Sequence, residues 1–213
     1  MKKKFIIECG SGNTCKNQIG IVEKMIDEVV KRDHGVYQII FKWQLFKQAF
    51  PNVPLEHEVF STAYWYAKLK GYQTTASVFD AESLDWLLMF DDLQYVKIAC
   101  RPDLYWLMGE IPRKIKILAS RTVTRPMPEP IAKYTDYRTV WMWCSPKYPA
   151  KVDEYELLKS IKFQGISDHT PGWELMHKYP WQYFEKHYVL ERDESNPDAG
   201  EFAFTPEDLE GII

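Results

Sequence analysis

A chain of 213 residues is the length of one substantial domain, and 46% hydrophobic residues, with 8 Trp, 13 Tyr and 11 Phe, supply a core large enough to exclude bulk disorder. Twenty-seven Lys and Arg against 30 Asp and Glu give a formal net charge of -3, without the basic footprint of a general nucleic-acid binder. The basic opening Met1-Lys2-Lys3-Lys4 meets Glu8 after only three apolar residues, too soon for a signal-peptide core, and no window nears the ~18 apolar residues that a membrane span needs. A cytoplasmic protein without a membrane anchor is therefore expected.

Short β-branched or aromatic runs alternate with helix-patterned stretches along the whole chain. Strands are expected at 5–10, 36–43, 74–79, 95–100, 115–120, 139–145, 163–169 and 183–189, each apolar enough to be covered on both faces. Helices are expected between and after them at 17–31, 57–70, 81–89, 103–110, 128–134, 153–160, 172–178 and 205–212. Start signals stand at Asp80 before Ala81-Glu82-Ser83 and at Thr205 before Pro206. Strictly alternating strands and helices predict a parallel sheet. Eight units predict a compact (β/α)8 TIM barrel filling residues 1–213 as a single domain, close to the lower size limit of about 200 residues. The barrel must be trimmed, and the run Arg125-Pro126-Met127-Pro128-Glu129-Pro130 leaves room for only a brief helix after it. The rival open doubly wound sheet lacks a G-x-G-x-x-G turn after the first strand. Four cysteines, Cys9, Cys15, Cys100 and Cys144, have neither zinc-like spacing nor the density of a disulfide scaffold and read as reduced thiols.

In such a barrel the active site lies at the C-terminal mouth. The strand ends present Glu8, Lys42, Gln44, Ser77, Lys97, Cys100, Ser120, Ser145, Tyr148, Ser167, Asp168, His169, Glu185 and His187 there. An isolated lysine is ordinarily a surface residue with a snorkelling ammonium, but Lys42 and Lys97 sit inside the apolar strands Ile-Ile-Phe-Lys-Trp-Gln and Tyr-Val-Lys-Ile-Ala. An isolated histidine in an apolar strand is ordinarily a core residue. His169 and His187 instead end adjacent strands, with Asp168 and Glu185 available as supporting carboxylates. The set suits an anionic ligand together with a divalent metal.

These segments, in this order, resemble the sialic acid (N-acetylneuraminate) synthase family. Phe5-Ile6-Ile7-Glu8-Cys9-Gly10 is similar to its first strand and Phe41-Lys42-Trp43-Gln44 to its Lys-x-Gln strand. Val78 to Leu87 is similar to the stretch following its third strand, and Val96-Lys97-Ile98-Ala99-Cys100 resembles its Lys-Ile-x-Ser segment. Trp143-Cys144-Ser145-Pro146-Lys147-Tyr148-Pro149 resembles the segment ending in Tyr-Pro. The most specific matches are Gly165-Ile166-Ser167-Asp168-His169-Thr170-Pro171-Gly172 and Phe184 to Leu190 followed by Asn196-Pro197-Asp198.

The resemblance implies a metal-assisted enzyme, without the family's C-terminal antifreeze-like domain, that condenses phosphoenolpyruvate with an N-acetylated amino-sugar aldose such as N-acetylmannosamine. Its products would be a nonulosonic acid and phosphate. It implies Glu8, Lys42, Lys97 and Tyr148 as catalytic residues. Gln44, Ser77, Cys100, Ser120, Ser145, Ser167, Asp168 and Asp198 would be substrate contacts, with Cys100 in place of the usual serine. His169 and His187 would hold the metal, Mn²⁺ first and Mg²⁺ or Co²⁺ as alternatives; a homodimer is compatible with it. The sequence departs from the family at Gly12-Asn13, at Arg101-Pro102, at Ala119 and at Pro146, positions implied to meet the acceptor sugar. Two alternatives stand beside this reading: a non-catalytic relative that binds an anionic metabolite, and a related aldol-type enzyme on another keto acid.

Overall fold

The computed structural model describes residues 2–48, 52–122 and 135–213. Eight parallel strands close on themselves in sequence order: β1 (Lys4–Glu8), β2 (Gln38–Leu45), β3 (Gln73–Val78), β4 (Tyr95–Ile98), β5 (Lys116–Thr122), β6 (Thr139–Cys144), β7 (Gly165–Asp168) and β8 (Tyr183–His187). β8 pairs with β1, with Glu8 opposite His187, so no strand edge is left open. The fold is the (β/α)8 TIM barrel expected from the alternation.

Both faces of most strands are buried, because the outer residues meet helices and the inner ones meet each other. The helices are α1 (Gly12–Cys15), α2 (Ile19–Arg32), α3 (His57–Leu69), α4 (Ala81–Leu87), α5 (Glu174–Lys178) and α6 (Pro206–Leu209). α2 buries Val22, Met25, Ile26 and Val29, the i, i+3, i+4, i+7 stripe of a helix lying on a sheet. α4 begins where Asp80 accepts a hydrogen bond from the Ser83 amide at 2.7 Å. The expected helices at 103–110 and 153–160 are instead 3₁₀ segments, Pro102–Gly109 and Val152–Ser160, and those at 172–178 and 205–212 shrink to single turns in α5 and α6. Tight i→i+3 turns cover a strand with fewer residues, and so the circuit fits in about 27 residues per unit. The expected helix at 128–134 lies outside the described residues.

Inside the barrel, Ile6, Ile40, Tyr95, Leu118, Val140, Met142 and Tyr183 form an apolar plug. Gly165 belongs to the same layer, and a Cβ there would lie 2.2 Å from the Met142 sulfur. Only glycine lets β7 approach the plug so closely.

Candidate active site

Side chains of a strand alternate between its two faces, so the next inward residue after each plug residue lies two positions on. From Ile6, Ile40, Tyr95, Leu118, Met142, Gly165 and Tyr183 this step gives Glu8, Lys42, Lys97, Ser120, Cys144, Ser167 and Glu185. All seven line one cavity of about 730 Å³ at the C-terminal mouth. One further step along β2, β7 and β8 adds Gln44, His169 and His187, and the loops bring Cys100, Tyr148 and Asp198. Ser77, from the end of β3, lines it too. The barrel is thus apolar in its lower half and charged directly above.

The two remaining expected site residues do not line the cavity, for the same geometric reason. Ser145 follows the inward Cys144, and Asp168 lies between the inward Ser167 and His169, so both face outward. Ser145 donates its hydroxyl to Glu154 at 2.5 Å. Asp168 is fully buried against the helices, 2.8 Å from Lys186 Nζ, and accepts from the Thr170 amide and hydroxyl at 2.7 and 2.8 Å. It is a structural ion pair of the outer layer. Glu185, expected only in support of the histidines, is instead the hub of the cavity floor.

Both carboxylate oxygens of Glu185 lie 2.6 Å from Lys97 Nζ, its Oε1 accepts from Ser167 at 2.8 Å, and Lys42 Nζ is 3.6 Å away. Lys42 is in contact with Glu8 and donates to Ser77 at 2.8 Å. Two buried lysines are costly unless an anion neutralises each, and here each has an internal one, Glu8 for Lys42 and Glu185 for Lys97. Burial pulls the Lys42 ammonium down to about 7. Burial also opposes the charge on Glu185, but Lys42, Lys97 and the Ser167 hydroxyl outweigh it and hold this carboxyl well below the usual range.

Glu8 is fixed from the other side by the Gly10 amide at 2.8 Å. Gly10 has φ +73°, and a Cβ there would lie 2.3 Å from Thr14 Oγ1 and 3.0 Å from Asp198 Oδ2, so glycine lets the chain turn under the Asp198 loop. Asp198 accepts from Gln44 at 3.0 Å and stands 3.7 Å from His187 Nδ1.

His169 donates Nδ1–H to the Ser145 carbonyl at 2.6 Å, which leaves the lone pair on Nε2, 3.5 Å from Ser167 Oγ. The His187 ring centre is 5.5 Å from that of His169, and its Nδ1 is buried without a hydrogen-bond partner among the described residues. Burial depresses both imidazoles, His169 to about 4, so both are neutral well below the pH of ~6.5 at which free imidazole protonates. Two imidazoles sharing an ion at about 2.1 Å have ring centres within about 6.4 Å of each other, so the 5.5 Å spacing is compatible with a shared divalent ion, and a backbone carbonyl orients one ring. Among the described residues no group of three His, Cys, Asp or Glu is arranged to hold a metal, so a bound ion would keep most of its positions for water or substrate. Tyr148 stacks on His169 at 4.0 Å between ring centres and closes one side of the mouth.

Of the departures from the family pattern, Arg101 and Pro146 line the cavity. Arg101 is paired with Asp103 at 3.0 and 2.5 Å. Pro102 starts the 3₁₀ segment, and the Asn13 side chain holds the Val53 amide. Ser120 Oγ, in the cavity wall, has no hydrogen-bond partner among the described residues. No helix among the described residues is long and apolar enough to cross a membrane.

No protein-family model matches the chain, and no curated protein matches it. Solved structures do. An N-acetylneuraminic acid (sialic acid) synthetase from Leptospira borgpetersenii superposes with a TM-score of 0.77 at 20% identity, over 98% of this chain and 80% of that one. A putative spore coat polysaccharide biosynthesis protein E from Chromobacterium violaceum gives 0.77 at 19% identity, over 98% and 72%. A truncated 3-deoxy-D-arabino-heptulosonate 7-phosphate synthase from Thermotoga maritima gives 0.65 at 11% identity, over 96% and 82%. At these identities the likeness is one of fold: the chain is built as these barrels are.

Proposed function

We propose that this protein is a carbon–carbon bond-forming synthase of the sialic-acid-synthase type, joining phosphoenolpyruvate to an N-acetylated amino-sugar aldose and releasing phosphate. The observation that carries the reading is the convergence of Lys42, Ser77, Lys97, Ser167, His169 and His187 on one cavity, in the order in which the sequence resembles that family. The likeness in fold to a sialic acid synthetase and to a heptulosonate-phosphate synthase supports it.

Lys42, Lys97, Ser77 and Ser167 hold the phosphate and carboxylate of phosphoenolpyruvate, and the free Ser120 hydroxyl adds a donor. Glu185 and Glu8 keep both ammonium groups positioned in the ligand-free protein, so little reorganisation accompanies binding. His169 and His187 would hold a divalent ion, Mn²⁺ first, which when bound polarises the acceptor's aldehyde. The enol-ether carbon then attacks the aldehyde carbon, water adds to the resulting cation, and the carbon–oxygen bond to phosphate breaks. Glu8, 3.5 Å from Gln44, and Asp198 are placed to orient the acceptor and the water. Tyr148 shields the reacting carbons from bulk solvent.

The test is phosphate release from phosphoenolpyruvate with N-acetylmannosamine and related aldoses in the presence of Mn²⁺, with the nonulosonic product identified by mass. Release is expected with at least one aldose and none without. Saturable phosphoenolpyruvate binding with no release for any aldose would instead favour the non-catalytic binder, and no binding at all would sink both readings.

A further inference from the structure

β6 and β7 are registered at Met142 with Gly165 and at Trp143 with Ile166. Above those pairs the two chains run on towards the cavity mouth, through Cys144-Ser145 on one side and Ser167-Asp168-His169 on the other. There a side chain takes over from the ladder. Tyr155, from the 3₁₀ segment Val152–Ser160, is fully buried in the layer behind the strands. Its hydroxyl accepts from the Ser145 amide at 3.1 Å and donates to the Ser167 carbonyl at 3.0 Å. Both polar functions of the phenol are thereby used, and one backbone donor and one backbone acceptor in a buried seam are satisfied.

Each of the two bridged residues supports a group in the cavity. The Ser145 carbonyl accepts the Nδ1–H of His169 at 2.6 Å. The Ser167 hydroxyl donates to Glu185 at 2.8 Å and lies 3.5 Å from His169 Nε2. Ser145 is held a second time by Glu154, the neighbour of Tyr155, which accepts from its hydroxyl at 2.5 Å. The Ala150 amide donates to the His169 carbonyl at 2.8 Å, so the loop between β6 and the 3₁₀ segment is tied to the same histidine from behind. The other 3₁₀ segment, Pro102–Gly109, offers a comparison. Its buried Tyr105 donates its hydroxyl to the Ser120 carbonyl at 2.7 Å, a pin on β5 that leads to neither histidine.

We propose that Tyr155 is a positioning residue for His169: its hydroxyl, set as a rung between the ends of β6 and β7, fixes the carbonyl that selects the histidine's tautomer. Tyr155 does not line the cavity and acts through Ser145. A neutral imidazole can carry its proton on either nitrogen, and only the nitrogen without it can ligate. With the Ser145 carbonyl held against Ser167, the proton stays on Nδ1 and the Nε2 lone pair stays available to an ion. The value of that arrangement to the protein rests on the reading of His169 as a metal ligand, whereas the tautomer itself is measurable without metal.

The test compares the wild type, Tyr155→Phe and Tyr105→Phe by side-chain ¹⁵N and ¹H NMR of His169 in metal-free buffer at pH 7.5, and by Mn²⁺ titration calorimetry. The wild type should show one His169 tautomer, with a slowly exchanging Nδ1–H. In Tyr155→Phe that proton should exchange faster and the nitrogen shifts should move towards a mixture of tautomers, with Mn²⁺ bound about tenfold more weakly. Tyr105→Phe, which also loses a buried hydroxyl from a 3₁₀ segment, should leave both readouts unchanged. A folded Tyr155→Phe protein with the wild-type His169 spectrum overturns the proposal, and so does an equal change in Tyr105→Phe. A wild type that binds no Mn²⁺ removes the metal reading, and the spectra then decide the role of Tyr155 by themselves. If Tyr155→Phe does not fold, the wild type decides: the Tyr155 hydroxyl proton should give a nuclear Overhauser effect to the Ser145 amide, and its absence overturns the proposal.

Discussion

Replacing Lys97 with Met removes one end of an ion pair on the cavity floor that engages both carboxylate oxygens. Lys97 is 2% exposed and meets both oxygens of Glu185 at 2.6 Å, so the change leaves a buried carboxylate short of its nearest cation. Losing one partner of such a pair costs about 3–5 kcal/mol. Glu185 keeps Ser167 at 2.8 Å and Lys42 at 3.6 Å, which sets the expectation near the lower end, about 3 kcal/mol. For 213 residues the unfolding entropy is about 0.45 kcal/mol per kelvin, so the melting temperature should fall by about 7 °C. The sign with pH follows from Glu185, whose folded carboxyl titrates below its unfolded value. Its stabilising share is complete above the unfolded value near 4.3 and is lost as pH falls through the folded one. The deficit of Lys97→Met is therefore full at pH 7.5 and shrinks below about pH 4.3 as Glu185 protonates in the mutant. Urea denaturation of Lys97→Met, Glu185→Gln and the double mutant, in metal-free buffer, isolates the pair. The double mutant should lose less than the sum of the singles by at least about 1 kcal/mol. Additive losses, or a Lys97→Met cost under about 0.5 kcal/mol, would refute the reasoning.

Four further outcomes are expected. Sulfate, whose charge is constant from pH 6 to 9, should raise the melting temperature more at pH 6 than at pH 8.5, because Lys42 loses its proton near 7; an equal rise at both pH values excludes Lys42 as an anion contact. The ligand-free protein should gain stability from the same group over that range, since the unfolded lysine keeps its proton to about 10.4 and so binds more protons than the folded one. Phosphoenolpyruvate should raise the melting temperature more with Mn²⁺ than without, because Glu8 and Glu185 already neutralise the lysines and a trianionic ligand needs another cation; His169→Gln or His187→Gln should abolish the Mn²⁺ increment. Lys186→Met should cost about 3 kcal/mol by leaving Asp168 unpaired in the outer layer, yet leave sulfate binding to the cavity intact, as calorimetry would report.

The strands were legible because a barrel strand buried on both faces must be an apolar run, and eight such runs interrupted by turns allow few other closures. The short helical segments were less so: Val152–Ser160 carries Asp153, Glu154 and Lys159 in a pattern that fits an α-helix, whereas its anchoring is remote, through the Tyr155 hydroxyl to the Ser145 amide and the Ser167 carbonyl. At the site, residues ending strands were readable from position alone. Their direction follows from the two-residue period of a strand. Ser167 and His169 cannot both face inward unless Asp168 faces out, and Cys144 rather than Ser145 continues the inward row from Met142. The same count from Tyr183 points to Glu185. No period reveals the pairing of Glu8 with Lys42 or of Glu185 with Lys97, because the partners are 34 and 88 residues apart in the chain and meet only when the ring closes.

That closure joins β1 to β8, with Lys4 opposite Tyr183 and Glu8 opposite His187. During synthesis the first strand leaves the ribosome long before its second neighbour exists, and until residue 187 has emerged the growing sheet has two unpaired borders. The cavity floor draws on both halves of the chain, so no nascent fragment ending before β8 has Glu185 to neutralise Lys97. Contacts this remote in sequence form slowly, and the interval leaves bare strand borders open to other chains. Expression at low temperature or with added chaperone is therefore expected to raise the folded yield more than it would for a helical bundle of the same size.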